Sequence, residues 1–391
     1  MVIAARVLST ADFGTYALAY TAMWALNGLQ SSLITQPHNV LASHTDVTAY
    51  RRYTSAIGLM QVGLSSLLGV PLLVAGVIAL VAGAGPTLIA LGFALIAWQA
   101  QEFLRRVLYF EGRLTAVVAL DVISYGGQLV AIVALATAGS FTVASGLAAA
   151  GATAASAALL GLILLRTTLF HPPLPGAVGQ NIAHGRWLLG AEVGFFLCAS
   201  VYPFLLAATA GPEAVAVFSG ANLVLNPLNV IWFAVGTAVP IRLSRSRQRH
   251  GDDAARDDLL RLYGASIPIV GGYCLVAAVF GGPILGFLFG DAYAGFGWVV
   301  AAAAVIRLFS FHSHLLSVGL RVQGQTRAIF VGYAAAVPFS LIVGTILTVG
   351  FGIAGVMVAL FGAHVIWTTI WLRAYRSGQG PSPALEDGHT A

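Results

Sequence analysis

The chain has 391 residues, of which 58% are hydrophobic and only 8% charged, and its mean hydropathy is +0.88. A soluble domain covers its surface with roughly 25% charged residues, so composition excludes a water-soluble fold and calls for lipid as the solvent. The formal charge is +5 and all 19 basic residues are arginine; they sit in short gaps between apolar stretches, as topology determinants do, which also excludes a nucleic-acid-binding role.

Eleven stretches meet or approach the roughly 20 apolar residues that a bilayer crossing needs. They run Phe13–Ile34, Ala56–Ala82, Thr87–Phe103, Thr115–Ala136, Phe141–Leu165, Trp187–Ala208, Ala214–Val239, Ala265–Phe280, Phe296–Val318, Ile329–Val349 and Ile353–Trp371. Gly-rich or Pro-containing turns such as Gly350-Phe351-Gly352 separate them. Helices satisfy their own backbone polar groups, so the expected class is an all-α, polytopic membrane protein. Cys198 and Cys274 lie inside apolar stretches and read as small hydrophobes. Met1 is followed by an apolar stub without the basic start or cleavage site of a signal peptide.

If the stretches alternate across the membrane, 17 of the 19 arginines fall on one side. They include Arg51 and Arg52, Arg105, Arg106 and Arg113, Arg166 and Arg186, the run Arg242 to Arg261, Arg321 and Arg327, and Arg373 and Arg376. The positive-inside rule makes that side cytoplasmic and puts the C-terminus there, in a bacterial cytoplasmic membrane. The opposite gaps hold only Arg6, beside Asp12, Glu213 and Asp291, and the last arginine, Arg307, lies inside a stretch. The start of the chain is then forced outside, and Val2 to Leu8 read like the exit end of a helix that lacks its first turns. A twelve-helix plan with both ends inside would account for this, so the chain is expected to be shortened or started late, with eleven complete helices and a stub.

An internal repeat favours the twelve-helix plan. Leu8-Ser9-Thr10-Ala11-Asp12-Phe13-Gly14-Thr15-Tyr16-Ala17 and Ala210-Gly211-Pro212-Glu213-Ala214-Val215-Ala216-Val217-Phe218-Ser219 are both outer turns that open a helix with an acid. Six helices per half would relate the halves by an axis along the membrane normal. The expected organisation is an N-terminal bundle over 1–170, a cytoplasmic linker over 171–186, a C-terminal six-helix bundle over 187–373 and a disordered cytoplasmic tail over 374–391.

The stretch Ala5-Arg6-Val7-Leu8-Ser9-Thr10-Ala11-Asp12-Phe13-Gly14-Thr15-Tyr16 resembles the opening signature of polysaccharide flippases, members of the multidrug/oligosaccharidyl-lipid/polysaccharide (MOP) exporter superfamily. Glu213 to Phe218 resembles its second-half counterpart, with Ala216 and Phe218 in place of Gly and Tyr. Phe289-Gly290-Asp291-Ala292-Tyr293 and Gln323-Gly324-Gln325-Thr326-Arg327 resemble an outer loop and a cytoplasmic turn of the same family. The resemblance spans nearly the whole chain, although each motif is short, and the main departure is the first helix. It implies a MATE-like pair of pseudo-symmetric six-helix halves around a cavity that opens alternately to each side. The implied cargo is an undecaprenyl-pyrophosphate-linked oligosaccharide or a related polymer precursor. A cation-coupled multidrug exporter of the same fold is the alternative, and a membrane-embedded polysaccharide polymerase or ligase ranks third. Such an enzyme needs acids and bases at a membrane face, and the short outer gaps hold no paired carboxylates; no catalytic residue, cofactor or metal is expected.

Arg307 leads the candidate binding residues. An arginine in mid-membrane costs about 3 kcal/mol, so it should face a wet cavity or a partner, and its planar fork suits a pyrophosphate. His314 lies seven residues on, on nearly the same face, while His312 points elsewhere; either could bind sugar or couple protons. His364, in the middle of the last stretch, is a weaker candidate of the same kind. Glu192 and Asp121 could hold a coupling cation or proton, or could pair with Arg186 and Arg113. Asn222, Asn226 and Asn229, at i, i+4 and i+7, are expected to form a polar ridge on one helix, as a sugar-contacting wall or as interhelical glue. Arg6 is a candidate for a cavity rim or an interfacial anchor. His38 and His44 lie in an interfacial connector too far from other ligands to suggest a metal. The loop Arg242 to Arg249, followed by Asp252, Asp253, Asp257 and Asp258, reads as a topology determinant with a short amphipathic helix and an attraction to anionic lipid.

Overall fold

A computed structural model describes residues 1–42, 46–83 and 85–377. Most of these are helical. The order is α1 (Val2–Val7), α2 (Thr10–Gln30), a π turn (Ser31–Thr35), α3 (Gln36–Leu41), α4 (Val47–Val81), α5 (Thr87–Phe110), α6 (Leu114–Asp121), a π turn (Val122–Gly126), α7 (Gly127–Thr137), α8 (Val143–Leu164) and α9 (Arg166–Leu169). Then come α10 (Ala177–Phe195), a π turn (Phe196–Ser200), α11 (Tyr202–Leu225), α12 (Leu228–Val279), α13 (Gly281–Phe289), a 3-10 turn (Asp291–Phe296), α14 (Gly297–Val322), α15 (Thr326–Phe339), a π turn (Ser340–Gly344) and α16 (Thr345–Ser377).

Helix starts carry local caps. Ser9 opens α2: its Oγ accepts the Asp12 amide at 3.1 Å and donates to the Asp12 carboxylate at 2.7 Å. Asp46 does the same for α4 by accepting the amides of Thr48 and Ala49, each at 2.8 Å. Such caps satisfy the amide groups that the first turn leaves without partners.

Among the described residues, eight helices are long and apolar enough to cross a membrane. The eleven apolar stretches of the sequence fall on helix to within a few residues. The two counts differ because Leu188–Leu225 and Arg327–Ser377 each join two stretches and because α2 is not among the eight. In both, a glycine breaks the helical path at a positive φ, Gly211 at 84° and Gly352 at 54°, a conformation that a side chain would resist. The stretch Phe13–Ile34 lies on the more polar α2. The stretch expected over Ala214–Val239 is interrupted: α11 ends at Leu225 and α12 starts at Leu228. Pro227, which has no N–H and whose ring collides with the preceding turn, sits in that gap.

Two compact units divide the chain, Met1–Val193 and Gly194–Ala391. In the first, α4, α5 and α8 surround a core that includes Tyr53, Ile57, Phe103, Leu104, Val107 and Leu120. In the second, α14, α15 and α16 bury Leu316, Leu320, Ile329, Trp367 and Trp371, with the Tyr333 ring 5.2 Å from both tryptophan rings. The polarity is inverted relative to a soluble protein. Leu67, Ile78, Phe287 and Ile346 point outward, whereas Gln30, Gln61, Gln99, Gln101 and Glu102 are buried. An apolar exterior over a partly polar interior fits a protein solvated by lipid.

Helix α10 begins at Ala177, inside the stretch expected as a linker, and α16 continues to Ser377, so 374–377 are helical rather than disordered. The rest of the expected tail, 378–391, and His44 lie outside the described residues. The stretch Arg242 to Asp258 is part of the long α12, which changes path at Gly251 (φ 86°); the side chains of Arg245, Arg247, Asp252 and Asp253 are outside the description.

Candidate functional site

Within the second unit, Arg307 is the eleventh residue of α14, about 15 Å along the helix from its start at 1.5 Å per residue. That is close to half the thickness of a hydrocarbon core. At 100° per residue, Arg307, Phe311 and His314 share one face of α14. Opposite lies the first turn of α12. Arg307 Nη1 donates to Asn229 Oδ1 at 3.4 Å, the Phe311 and Trp232 rings are 6.2 Å apart, and the His314 ring stacks on Trp232 at 4.3 Å and 22°. Among the described residues no carboxylate lies within ion-pair distance of Arg307, and the His314 Nε2 is buried without a hydrogen-bond partner. A guanidinium, an amide, an indole and an imidazole thus line one seam, with no carboxylate in ion-pair contact among the described residues.

His312 and His364 are held by their own surroundings. The backbone carbonyl of His312 accepts the Tyr263 hydroxyl at 2.9 Å, and its ring lies 5.2 Å from the Tyr263 ring. His312 therefore faces another part of α12, apart from the Arg307 face, as expected. His364 Nδ1 lies 2.8 Å from the Leu360 carbonyl one turn back, with its ring on Trp367 at 4.2 Å; this is the packing of a structural histidine.

The three asparagines are divided between two helices rather than carried by one. Asn222 is on α11 and donates to the Phe218 carbonyl at 2.9 Å; Asn226 sits at the break before Pro227, and Asn229 is in the first turn of α12. Of the three, Asn229 accepts from Arg307, and Asn229 Nδ2 donates back to Asn226 Oδ1 at 3.3 Å.

The acidic candidates lie in the first unit. Asp121 ends α6 and its Oδ1 is 3.8 Å from Arg105 Nε; Arg113, the partner considered for it, instead lies 3.6 Å from Glu111. The α5–α6 hairpin brings Arg105 to Asp121, whereas Arg113 sits in the connecting turn beside Glu111. Glu102, which the sequence did not single out, is the centre of that corner. Its side chain is 8% exposed and accepts from Arg105 Nε and Nη2 and from Arg106 Nε, each at 2.8 Å. The signal was present as Glu-x-x-Arg-Arg, which places both guanidinium groups at i+3 and i+4 on one helix face.

Glu192 lies on α10 against α2: a Cβ built on Gly28 would fall 2.2 Å from Glu192 Oε1. Only glycine at that position lets the carboxylate lie on the α2 backbone. Arg6 is exposed in the last turn of α1. No group of three or more His, Cys, Asp or Glu converges among the described residues.

His38, in the connector beyond the first stretch, is buried among Tyr50, Tyr53, Phe103 and Phe110, and its Nε2 is 3.0 Å from Thr54 Oγ1. Burial pushes its imidazole down to about 4, so it stays neutral and structural.

No family model matches the sequence, and no curated protein matches it either. Solved structures do. An inward-facing multidrug resistance MATE family transporter of the MOP superfamily superposes with a TM-score of 0.77 at 13% identity, covering 97% of this chain and 94% of its own. The lipid II flippase MurJ in an inward closed conformation gives 0.70 at 13% identity, covering 96% and 84%. A MOP superfamily transporter from Pyrococcus furiosus, described as having a binding pocket of reverse polarity, gives 0.60 at 13% identity, covering 94% and 86%. At such identities the likeness speaks for the fold alone, and nearly end to end this multi-span membrane protein has the fold of the MOP superfamily transporters, flippase and drug exporter alike.

Proposed function

We propose that the chain translocates a lipid-linked oligosaccharide or polysaccharide precursor across a bacterial cytoplasmic membrane by alternating access, without catalysing a reaction. The observation that carries this reading is Arg307: a guanidinium near the middle of the apolar helix α14, with Asn229 beside it and no acid within ion-pair distance among the described residues. A charge left uncompensated in hydrocarbon is costly, and a translocating phosphate or pyrophosphate would supply the missing anion through charge-assisted hydrogen bonds. His314 and Trp232, stacked beside it, offer a polar edge and an apolar face to the first sugar. The arginine distribution supports a cytoplasmic C-terminus.

A cation-coupled multidrug exporter is the second reading, favoured by Glu192, whose carboxylate lies on α2 where a proton or cation could be exchanged. Deleting the gene and locating the lipid-linked glycan separates the two. Accumulation on the cytoplasmic face supports flipping; unchanged glycan with new drug sensitivity overturns it.

A further inference from the structure

The first unit contains a cavity of about 200 Å³ that the seam around Arg307 does not touch. Tyr16 and Tyr20 of α2 form one wall, and Tyr125 and Gln128 of the second π turn and α7 form another. Met1, Leu129 and Ile132 complete the lining. Its polar atoms are already arranged as a chain: the Tyr16 hydroxyl donates to the Tyr20 oxygen at 3.3 Å, and the Gln128 amide donates to Tyr20 as well. Trp98 Nε1 donates to the Tyr125 hydroxyl at 3.5 Å, and the Trp98 ring packs edge-on against Trp24 at 5.5 Å.

Beyond the cavity, α2 carries a polar stripe. At 100° per residue, Tyr16, Tyr20, Asn27 and Gln30 fall within about 80° of one another and span about 21 Å of α2. At its far end Gln30 Nε2 donates to Gln61 Oε1 at 2.8 Å and to the Gln99 carbonyl at 2.7 Å, and Gln61 passes the chain to Ser65 at 2.6 Å. Three amide oxygens along this track, Asn27 Oδ1, Gln30 Oε1 and Gln99 Oε1, are buried without a hydrogen-bond partner among the described residues. Gln30 and Gln99 are fully buried. Acceptors left empty in an apolar bundle cost on the order of 1–3 kcal/mol each, so this stretch of α2 holds polar groups at a cost in stability.

We propose that this cavity binds an uncharged carbohydrate, with one pyranose ring against the tyrosines and its hydroxyls exchanging hydrogen bonds with the phenols and the Gln128 carboxamide. Hydroxyls both donate and accept, matching phenols and carboxamides in turn, and tyrosine rings give the apolar face of a sugar a flat, rigid contact. No carboxylate lines the cavity, which disfavours a cation, and drug-sized ligands need roughly 300–1,000 Å³. This inference rests on the flippase reading for its biological sense.

The test is saturation-transfer NMR of methyl β-glucopyranoside with the full chain in lipid nanodiscs, with glycerol as control. Expected are transfer to the pyranoside ring protons but not to glycerol, and an apparent affinity reduced about tenfold in Tyr20→Phe, which removes one hydroxyl. Leu129→Trp, which fills the cavity, should abolish the signal; if that variant does not fold, Tyr20→Phe carries the test alone. No transfer to the wild-type chain, or equal transfer in Tyr20→Phe, overturns the inference. Loss of sugar binding with flipping intact sinks this site alone. Sugar binding without any flipping sinks the function and leaves the site standing.

Discussion

Replacing Arg307 with glutamine separates a functional arginine from a structural one, because the two roles predict opposite changes in stability. The hydrogen bond to Asn229 is 3.4 Å long, at the outer limit for an N–H···O bond, so losing it removes at most about 1 kcal/mol. Against this, an arginine at the centre of a membrane helix is disfavoured by about 2.5–3.5 kcal/mol on insertion scales, and glutamine relieves much of that. The folded variant should therefore melt at or above the wild-type temperature. Transport should move the other way. A charge-assisted bond to phosphate contributes about 1.5–3 kcal/mol, so translocation at limiting substrate should fall about tenfold to a hundredfold. The assay is a proteoliposome measurement of how fast a labelled lipid-linked glycan becomes accessible on the far leaflet, run beside a melting curve of the same preparation. Undiminished translocation refutes the phosphate role. A large drop in melting temperature refutes it as well, because it would show that the guanidinium holds the helices together.

Glu102→Ala leaves two guanidinium groups without their shared carboxylate and should destabilise the first unit by about 3–5 kcal/mol, read as a loss of folded protein on heating. Arg106→Ala removes a half-exposed partner (48%) and should cost under about 1 kcal/mol in the same measurement. Gly28→Ala drives a methyl onto the Glu192 carboxylate and should destabilise by about 1 kcal/mol because that side chain can swing aside; the penalty should vanish in a Glu192→Ala background, and equal penalties in both backgrounds would show that the two do not touch. His38 is neutral in the folded chain with its imidazole down at about 4, below the ordinary 6.5 of an unfolded histidine. Its contribution is complete above pH 6.5 and is lost as the pH falls toward 4, amounting to about 3 kcal/mol at most. His38→Gln should flatten that part of the pH–stability curve, and an unchanged slope would refute the burial argument.

The membrane class and the helical stretches were legible because hydropathy is a local property: twenty apolar residues announce themselves wherever they pack. Arg307 was visible for the same reason, as a charge set within an apolar run. Legibility failed where the outcome depends on a partner distant in sequence or on a single backbone detail. The asparagine ridge obeyed helical spacing, yet Pro227 breaks the helix between Asn226 and Asn229, and a spacing rule does not see the break unless proline is weighed against it. Asp121 was matched to the nearest arginines in sequence, whereas the α5–α6 hairpin folds Arg105 back onto it. Glu102 was masked by its neighbours, since Arg105 and Arg106 read as topology signals and hid the acid that they enclose. Trp232 gave no signal, because its role depends on α12 meeting the histidine face of α14.

The four π turns among the described residues, at Ser31–Thr35, Val122–Gly126, Phe196–Ser200 and Ser340–Gly344, have a mechanical consequence. Each holds one residue more than an α-helical turn needs. Sliding such a turn along its helix by one position leaves both ends hydrogen-bonded and rotates the residue it passes by about 100°, one α-helical step. A side chain on the passed segment then exchanges an inward for a sideways direction with no helix melted. The second π turn lies between Asp121 and Gln128, and the first directly follows Gln30. In these two helices a one-residue slip would turn a polar group by one helical step while leaving the backbone hydrogen-bonded on both sides of it.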